Sequence, residues 1–172
     1  MLTSAVPSRP RGLRLPPWWL AGSLGVLLAG LWVMQIHPPA GGLFAPFTVL
    51  TAQLTAFMLA AIGLPVMREA ATLVHAGGFA CEIDVACTAL IPAVLLAASM
   101  GLLRATPRAH LMGIIPGVLL VVLVNQLRLV SLVWLGVYVP GYFDVAHNLL
   151  WPALLILTGS GYGLIWLRAT RR

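Results

Sequence analysis

The stretch from Gly77 to Leu90, GGFACEIDVACTAL, decides how the rest of the chain is interpreted. It holds both cysteines of the chain and two of its four acidic residues, and it leads directly into the apolar run from Ile91 to Leu103. Only 8% of the residues are charged, so such a concentration of ionisable groups beside an apolar segment indicates a functional site. If the protein carries out chemistry, we expect Cys87 at its centre.

The composition is that of an integral membrane protein. The chain is 60% hydrophobic and 8% charged, with a mean hydropathy of +0.99, whereas soluble domains carry about 25% charged residues. Its 17 glycines suit close helix packing in lipid. The net charge of +6 does not indicate a nucleic-acid partner, because the arginines lie at the ends of apolar runs, as membrane topology requires. The expected surroundings are therefore the lipid bilayer.

The N-terminal region contains a basic tail followed by an apolar segment. Residues 1–17 are rich in proline and arginine and have no hydrophobic periodicity, so we predict a disordered basic tail. The apolar segment from Trp18 to Ile36 is ended by HPPAGG. No convincing small-residue cleavage site follows it, so we interpret it as an uncleaved membrane helix and not as a signal peptide.

The apolar runs predict an all-α membrane protein with about five transmembrane helices and a small extracytoplasmic β-hairpin between helices two and three. Residues 18–167 form a single multi-pass domain in this prediction, and residues 168–172 form a basic cytoplasmic tail. The hairpin joins Thr72–His75 to Phe79–Val85 through a glycine turn. The predicted helices are Trp18–Ile36, Phe47–Val66, Cys87–Leu103, Leu111–Tyr138, and a fifth from Asp144 or His147 to Leu167.

The distribution of arginine predicts the orientation of the C-terminal half. The loop containing Arg104 and Arg108 and the basic C-terminus both favour the cytoplasm, which places Cys87, Arg128 and His147 on the opposite face. Five complete spans would then put the N-terminus outside, despite its three arginines. Either the short tail is translocated or one of the first two segments does not fully span.

Cys87 lies at the predicted start of helix three, and Asp84 is a candidate N-cap three residues earlier. The partial positive charge of a helix N-terminus lowers a thiol pKa and so favours the nucleophilic thiolate. The alternative is a buried cysteine that acts as a small hydrophobic residue. A disulfide between Cys81 and Cys87 is conceivable on an oxidising face, although nothing else in the sequence calls for one.

A polar pair interrupts the long apolar helix four. Asn125 and Arg128 share one helical face, and Ser131 continues the same stripe. An arginine inside a membrane segment costs about 2.5 to 3.5 kcal/mol on insertion scales, so it usually faces a partner or a wet cavity. The alternative is an interfacial arginine whose side chain extends to lipid phosphates.

A histidine stands at the start of the predicted helix five. Asp144 lies one turn before His147, a spacing at which a carboxylate can orient an imidazole base; the alternative is an ordinary interfacial histidine. Together, Cys87, Arg128 and His147 supply a nucleophile, a cation and a base on one predicted face, a sufficient set for acyl transfer from a peptide. The Cys and His spacings fit no compact metal motif, and there is no G-x-S-x-G element of a serine protease.

Three short motifs in order resemble the exosortase/archaeosortase family. They are ACTAL at 86–90, NQLRL at 125–129 and DVAH at 144–147, after a Gly-Gly-Phe hairpin. The likeness covers about residues 44–167, and the short chain is similar to the compact exosortases, such as the exosortase H type. The resemblance implies that Cys87, Arg128 and His147 are the catalytic trio. The family's usual glycine two residues after the cysteine is Ala89 here.

The resemblance implies a cysteine transpeptidase of the inner membrane with its active site on the periplasmic face. Its substrates would be secreted proteins with a C-terminal sorting signal, made of a short motif such as Pro-Glu-Pro, a transmembrane helix and a basic tail. Asn125 and Asp144 would be supporting residues, and Glu82 could contact the substrate; no cofactor or metal is expected, and the acceptor is not identified. The alternatives are a non-enzymatic membrane scaffold or assembly subunit and, less favoured, a small transporter.

Overall fold

A computed structural model describes residues 44–103 and 105–170 of the chain. The predicted N-terminal tail and first membrane helix lie outside these residues, as do Arg104, Arg171 and Arg172. The described part is mostly helical and carries one small sheet. Its main elements are α1 (Ala45–Ala61), β1 (Met67–Glu69), β2 (Thr72–Val74), β3 (Ala80–Glu82), α2 (Leu90–Gly101), α3 (Pro107–Tyr138) and α4 (Trp151–Thr170).

Two helical segments of the described part are long and apolar enough to cross a membrane. They are α3, with 32 residues, and the helical run Pro140–Thr170, with 31 residues. At about 1.5 Å per residue, α3 is roughly 48 Å long, which exceeds the hydrocarbon thickness of about 30 Å. By contrast, α1 has 17 residues and α2 has 12. The five spanning helices therefore remain a prediction.

The long helices α3 and α4 are antiparallel. The indole of Trp166, near the end of α4, donates a hydrogen bond to the carbonyl of Ala109, at the start of α3 (3.2 Å). Arg108 and Arg168 therefore lie at the same end of the bundle, which we call the basic end. The sheet packs against α1 and the distal part of α3. The basic end and the sheet therefore lie toward opposite ends of α3.

The sheet has one strand more than the predicted hairpin. Strands β2 and β3 pair antiparallel, with Leu73 opposite Cys81, and this confirms the hairpin. Strand β1 adds to the other side of β2, giving the order β1-β2-β3. The extra strand was not predicted because Met67, Arg68 and Glu69 are all exposed, so they show no alternation between apolar and polar residues.

Buried apolar residues form two clusters along α3. The sheet-side cluster joins α1, the sheet and the distal part of α3; its buried members are Ala52, Leu59, Leu64, Leu73, Ile83, Leu129 and Val133. The basic-end cluster joins α2, the proximal part of α3 and α4; its buried members are Leu96, Met100, Val121 and Trp166. The single long helix α3 is therefore the element that both halves of the fold share.

A π-helical segment, Ala146–Leu150, precedes α4. Its cause is Pro152, which has no N–H to donate and whose ring would clash with the carbonyl four residues earlier in a regular α-helix. The chain widens instead, and the amide of Trp151 donates to the carbonyl of Ala146, five residues back. His147 lies inside this widened turn.

Candidate active site

Cys87 does not begin a long helix, contrary to the sequence prediction. It ends a 3₁₀ turn, Val85–Cys87, and α2 begins only at Leu90. The interruption is Thr88, whose backbone is extended (ψ 161°) and whose hydroxyl donates to the carbonyl of Val85 (2.7 Å). The same hydroxyl accepts from the Leu90 amide (3.3 Å), so the threonine closes the turn and opens α2.

Asp84 caps this turn. Its carboxylate accepts a hydrogen bond from the amide of Cys87 (2.8 Å). The predicted capping role is therefore correct, but the capped element is a single 3₁₀ turn. A turn of three residues has no macrodipole comparable with that of a long α-helix. The expected lowering of the thiol pKa by a helix N-terminus consequently does not apply.

The electrostatic surroundings of Cys87 instead keep the thiol protonated. Burial raises the pKa of Cys87 to about 12, and the negative charge of Asp84 adds to the rise. The positive charge of Arg128 opposes both effects, though less strongly. Burial and Asp84 also raise the pKa of Cys81, again against Arg128. Both thiols therefore lie within reach of the same carboxylate and the same guanidinium, and both are free.

Asn125 of α3 binds the 3₁₀ turn Val85–Cys87, which we call the cysteine turn. Its side-chain amide donates a hydrogen bond to the carbonyl of Cys87 (2.9 Å), across 38 residues of sequence. The side chain is 1% exposed, and its Oδ1 atom is buried with no hydrogen-bond partner in the described residues. Leaving Oδ1 without a partner while Nδ2 is bonded lowers the stability of the fold, since an unpaired buried polar group costs about 1 to 3 kcal/mol.

Arg128 lies one helical turn after Asn125 and is also buried, at 8% exposure. Its Nε atom has no hydrogen-bond partner within residues 44–103 and 105–170. Its carbonyl accepts from the hydroxyl of Ser131 (2.8 Å), which accounts for the third polar residue of the stripe. A buried guanidinium with an unused donor, close enough to influence the Cys87 thiol, is available to bind a developing negative charge.

His147 is half-buried and reaches the site through aromatic contacts. Its ring lies 5.6 Å from that of Phe143, which lies 5.8 Å from that of Phe79 in an edge-on arrangement. The Phe79 ring lies against Gly136 of α3, where a Cβ atom would collide with it. This chain of rings brings the histidine to the sheet side of the bundle, where Cys87 also lies. No hydrogen bond joins His147 to Cys87 in the described part of the chain.

Asp144 and Glu82 lie at the surface of the described fold. Both are exposed, and within the described ranges Asp144 makes no hydrogen bond to His147, so the predicted carboxylate–imidazole pair is not formed. Glu82 is the last residue of β3, five residues before Cys87. Its side chain is on the solvent side of the sheet, since its neighbour Ile83 is only 2% exposed and faces the core.

One contact near the site was not predicted. The hydroxyl of Thr55 in α1 donates to the side-chain oxygen of Gln126 (3.0 Å), directly beside Asn125. The signal was present in the sequence: Thr48, Thr51 and Thr55 are spaced to share one helical face, and all three are buried. This bond fixes α1 against the part of α3 that contacts the cysteine turn.

The site contains no metal-ligand group among the residues that the structure describes: no three His, Cys, Asp or Glu side chains are close enough to hold an ion. Comparison of the chain with family models, curated proteins and solved structures finds no match. The chemistry of the site is therefore argued from its own geometry and from the motifs in the sequence.

Proposed function

We propose that the chain is a membrane-embedded cysteine transpeptidase that cleaves the C-terminal sorting signal of secreted proteins and transfers them to an acceptor. The observation that supports this most directly is the contact of Asn125 with Cys87, one turn from a buried arginine whose Nε has no hydrogen-bond partner among the described residues. Retaining an unpaired buried donor beside a thiol is costly for stability, and oxyanion binding gives it a purpose. The resemblance of the three motifs to exosortases supports the same function.

In the proposed reaction, the sulfur of Cys87 attacks the carbonyl carbon of the scissile peptide bond. Because the pKa of the thiol is raised to about 12, a base must remove its proton as the attack proceeds, and His147 is the proposed base. Arg128 stabilises the oxyanion of the tetrahedral intermediate. The imidazolium then donates its proton to the leaving amine, and a thioester on Cys87 remains. An acceptor nucleophile, or water, attacks the thioester and frees the thiol.

The proposed location is the cell inner membrane, with the site on the periplasmic face. The support is that Arg108 and Arg168 lie together at the basic end, and arginines near the ends of membrane helices favour the cytoplasmic side. From Pro107 to Arg128 is about 30 Å of helix, close to the thickness of the hydrocarbon core, so Arg128 would lie near the opposite interface. A secreted substrate anchored by its own C-terminal helix would reach the site there.

The test is cleavage of a C-terminally tagged cargo protein from the same genome, co-expressed with the full chain and followed by gel. We expect Cys87→Ala and Cys87→Ser to abolish cleavage and Cys81→Ala to retain it within about twofold, because a catalytic thiol has no substitute. Equal membrane levels of the wild-type protein and the three variants are the control. Processing that continues in Cys87→Ala would contradict the proposal.

A second function, a non-enzymatic scaffold or assembly subunit, is favoured by one feature: the Cys87 thiol is protonated and has no hydrogen bond to His147. In a scaffold, Asn125 and Cys87 would only hold α3 to the sheet. The two functions differ in Cys87→Ser, which retains a small polar side chain and the backbone carbonyl bound by Asn125. A scaffold would tolerate this change, whereas the transpeptidase would lose its activity.

A further inference from the structure

Strand β3 has a free edge beside the candidate active site. The sheet order is β1-β2-β3, so each outer strand pairs on one side only within the described residues. An unpaired strand edge presents a row of N–H and C=O groups that can pair with another extended chain. Such edges are usually short, protected or used for binding.

The register identifies which groups of β3 face outward. The His75 amide donates to the carbonyl of Phe79, and the Ile83 amide donates to the carbonyl of Ala71, so Phe79 and Ile83 direct their backbone groups toward β2. In an antiparallel pair the direction alternates along the strand. Ala80 and Glu82 therefore direct their N–H and C=O groups to the free edge, and both residues are exposed.

The free edge is fixed relative to the nucleophile. The side chain of Ile83 is 2% exposed and packs in the sheet-side cluster, and Asp84 then caps the turn that contains Cys87. The other end of the hairpin is held by the Phe79 ring against Gly136. No flexible linker separates the edge from the thiol, so a chain bound along β3 would have a defined position next to Cys87.

We propose that β3 binds the substrate polypeptide as an additional antiparallel or parallel strand, through main-chain hydrogen bonds to Ala80 and Glu82. This inference rests on the proposed function and specifies how the substrate is held: as an extended peptide segment next to the scissile bond. Strand addition gives affinity through the main chain and is independent of the side chains at the bound positions. It also lowers the entropy cost of placing the scissile carbonyl beside the thiol.

The sheet provides its own control. Thr72 and Val74 of β2 pair with Glu69 and Met67, so Arg68 is the β1 residue whose backbone groups face the opposite free edge. That edge is two strands from β3, or about 10 Å away. A proline at an outward-facing position removes one free N–H and no bond of the sheet, because it is the inward-facing residues that form the ladder.

The experiment compares proline substitutions at the two edges in the cargo-cleavage assay, with the full chain in its membrane. Ala80→Pro and Glu82→Pro should each slow cleavage by roughly threefold to tenfold, the effect of losing one hydrogen bond. Arg68→Pro should stay within about twofold. A loss in Arg68→Pro equal to that in Ala80→Pro and Glu82→Pro would overturn the main-chain role of β3.

A second measurement is independent of whether the proline variants fold. The photoreactive residue p-benzoylphenylalanine is placed at the position of Glu82 or of Arg68, in the Cys87→Ala protein, and irradiated with the tagged cargo. A cross-link from the Glu82 position alone supports strand addition, and equal cross-links from both positions, or none from Glu82, overturn it. If cleavage depends on Cys87 but the Glu82 position gives no selective cross-link, strand addition to β3 is wrong and the proposed function stands. Cleavage that does not depend on Cys87 would overturn both strand addition and the proposed function.

Discussion

At the basic end of α3, the aromatic side chains that pack on the helix form hydrogen bonds with their polar groups. Near the cysteine turn, two buried side chains each leave a polar atom without a hydrogen bond among the described residues. The hydroxyl of Tyr162 donates to the carbonyl of Gly113 (2.6 Å), and the indole of Trp166 donates to that of Ala109. By contrast, Asn125 and Arg128 each keep a buried polar atom that has no hydrogen-bond partner in the part of the chain that the structure describes. This difference is the one expected if the basic end contributes mainly to stability and the sheet side provides the proposed oxyanion-binding site.

The largest expected effect separates activity from stability at Arg128. Arg128→Gln should lower cargo cleavage by about 10² to 10³, as removal of an oxyanion donor does. The melting temperature in detergent should stay the same or rise, because a buried charge with an unused donor is removed. The control is Arg108→Gln, the same change at an exposed position of α3. An Arg128→Gln protein that melts at a lower temperature and cleaves normally would reverse the roles of the two regions.

The next effect belongs to the basic end. A Cβ atom at Gly113 would collide with the indole of Trp166 and the end of the Met100 side chain. We expect Gly113→Ala to lower the free energy of unfolding by about 1 to 3 kcal/mol, the cost of overpacking. Gly159→Ala in α4 is the matched control, since no atom of residues 44–103 or 105–170 lies within 4 Å of its Cβ position and alanine favours helix. Thermal unfolding in detergent measures both, and equal melting temperatures would contradict the packing argument.

A smaller effect tests the hydrogen bonds of the basic end. Tyr162→Phe removes the hydroxyl that binds the Gly113 carbonyl and keeps the ring that lies across Gly117. The expected loss is about 1 kcal/mol of unfolding free energy, with cleavage at permissive temperature unchanged. Tyr142→Phe, the same change at an exposed ring, should have no effect on the melting temperature. A drop in cleavage in Tyr162→Phe without a drop in stability would place function at this end too.

The sequence predicted the two long helices and the hairpin because these depend on patterns that sequence displays directly. The apolar run before Tyr138 is too long to be anything but a helix, and Gly77-Gly78 mark a turn between two short extended segments. The predicted start of α2, at Cys87, was wrong. The helix begins later because the hydroxyl of Thr88 forms local hydrogen bonds that interrupt it. Such local competition is not visible in hydrophobic periodicity.

The sequence drew attention to Asn125 and Arg128 but gave no indication of the electrostatics around Cys87. Asn125 and Arg128 stood out because polar residues are rare in such a helix, and the structure places Asn125 on the cysteine turn. The raised pKa of Cys87 could not be read from the sequence, because burial is its main cause and burial arises from packing against the sheet-side cluster. The π-helical turn around His147 depends likewise on how the chain relaxes about Pro152.

The smallest expected effect concerns the charges around the Cys87 thiol, measured as its rate of alkylation by iodoacetamide in the Cys81→Ala protein. Only the thiolate reacts, and its fraction rises tenfold with each pH unit as long as the pH is well below the thiol pKa. With a pKa of about 12, the rate should rise about tenfold per pH unit from pH 8 to pH 10. An ordinary exposed thiol would instead level off above its usual pKa of about 8.5.

Charge substitutions then move this rate in opposite directions. Asp84→Asn removes the negative charge that raises the pKa of Cys87, so alkylation at pH 8 should be roughly threefold to tenfold faster. Arg128→Gln removes the opposing positive charge, so alkylation should slow by a similar factor. Asp144→Asn, the same change at an exposed residue of the neighbouring helical segment, should leave the rate unchanged. A rate indifferent to both Asp84 and Arg128 would mean that burial alone sets the thiol pKa, and Arg128 would then lie too far from the sulfur to bind an oxyanion formed on it.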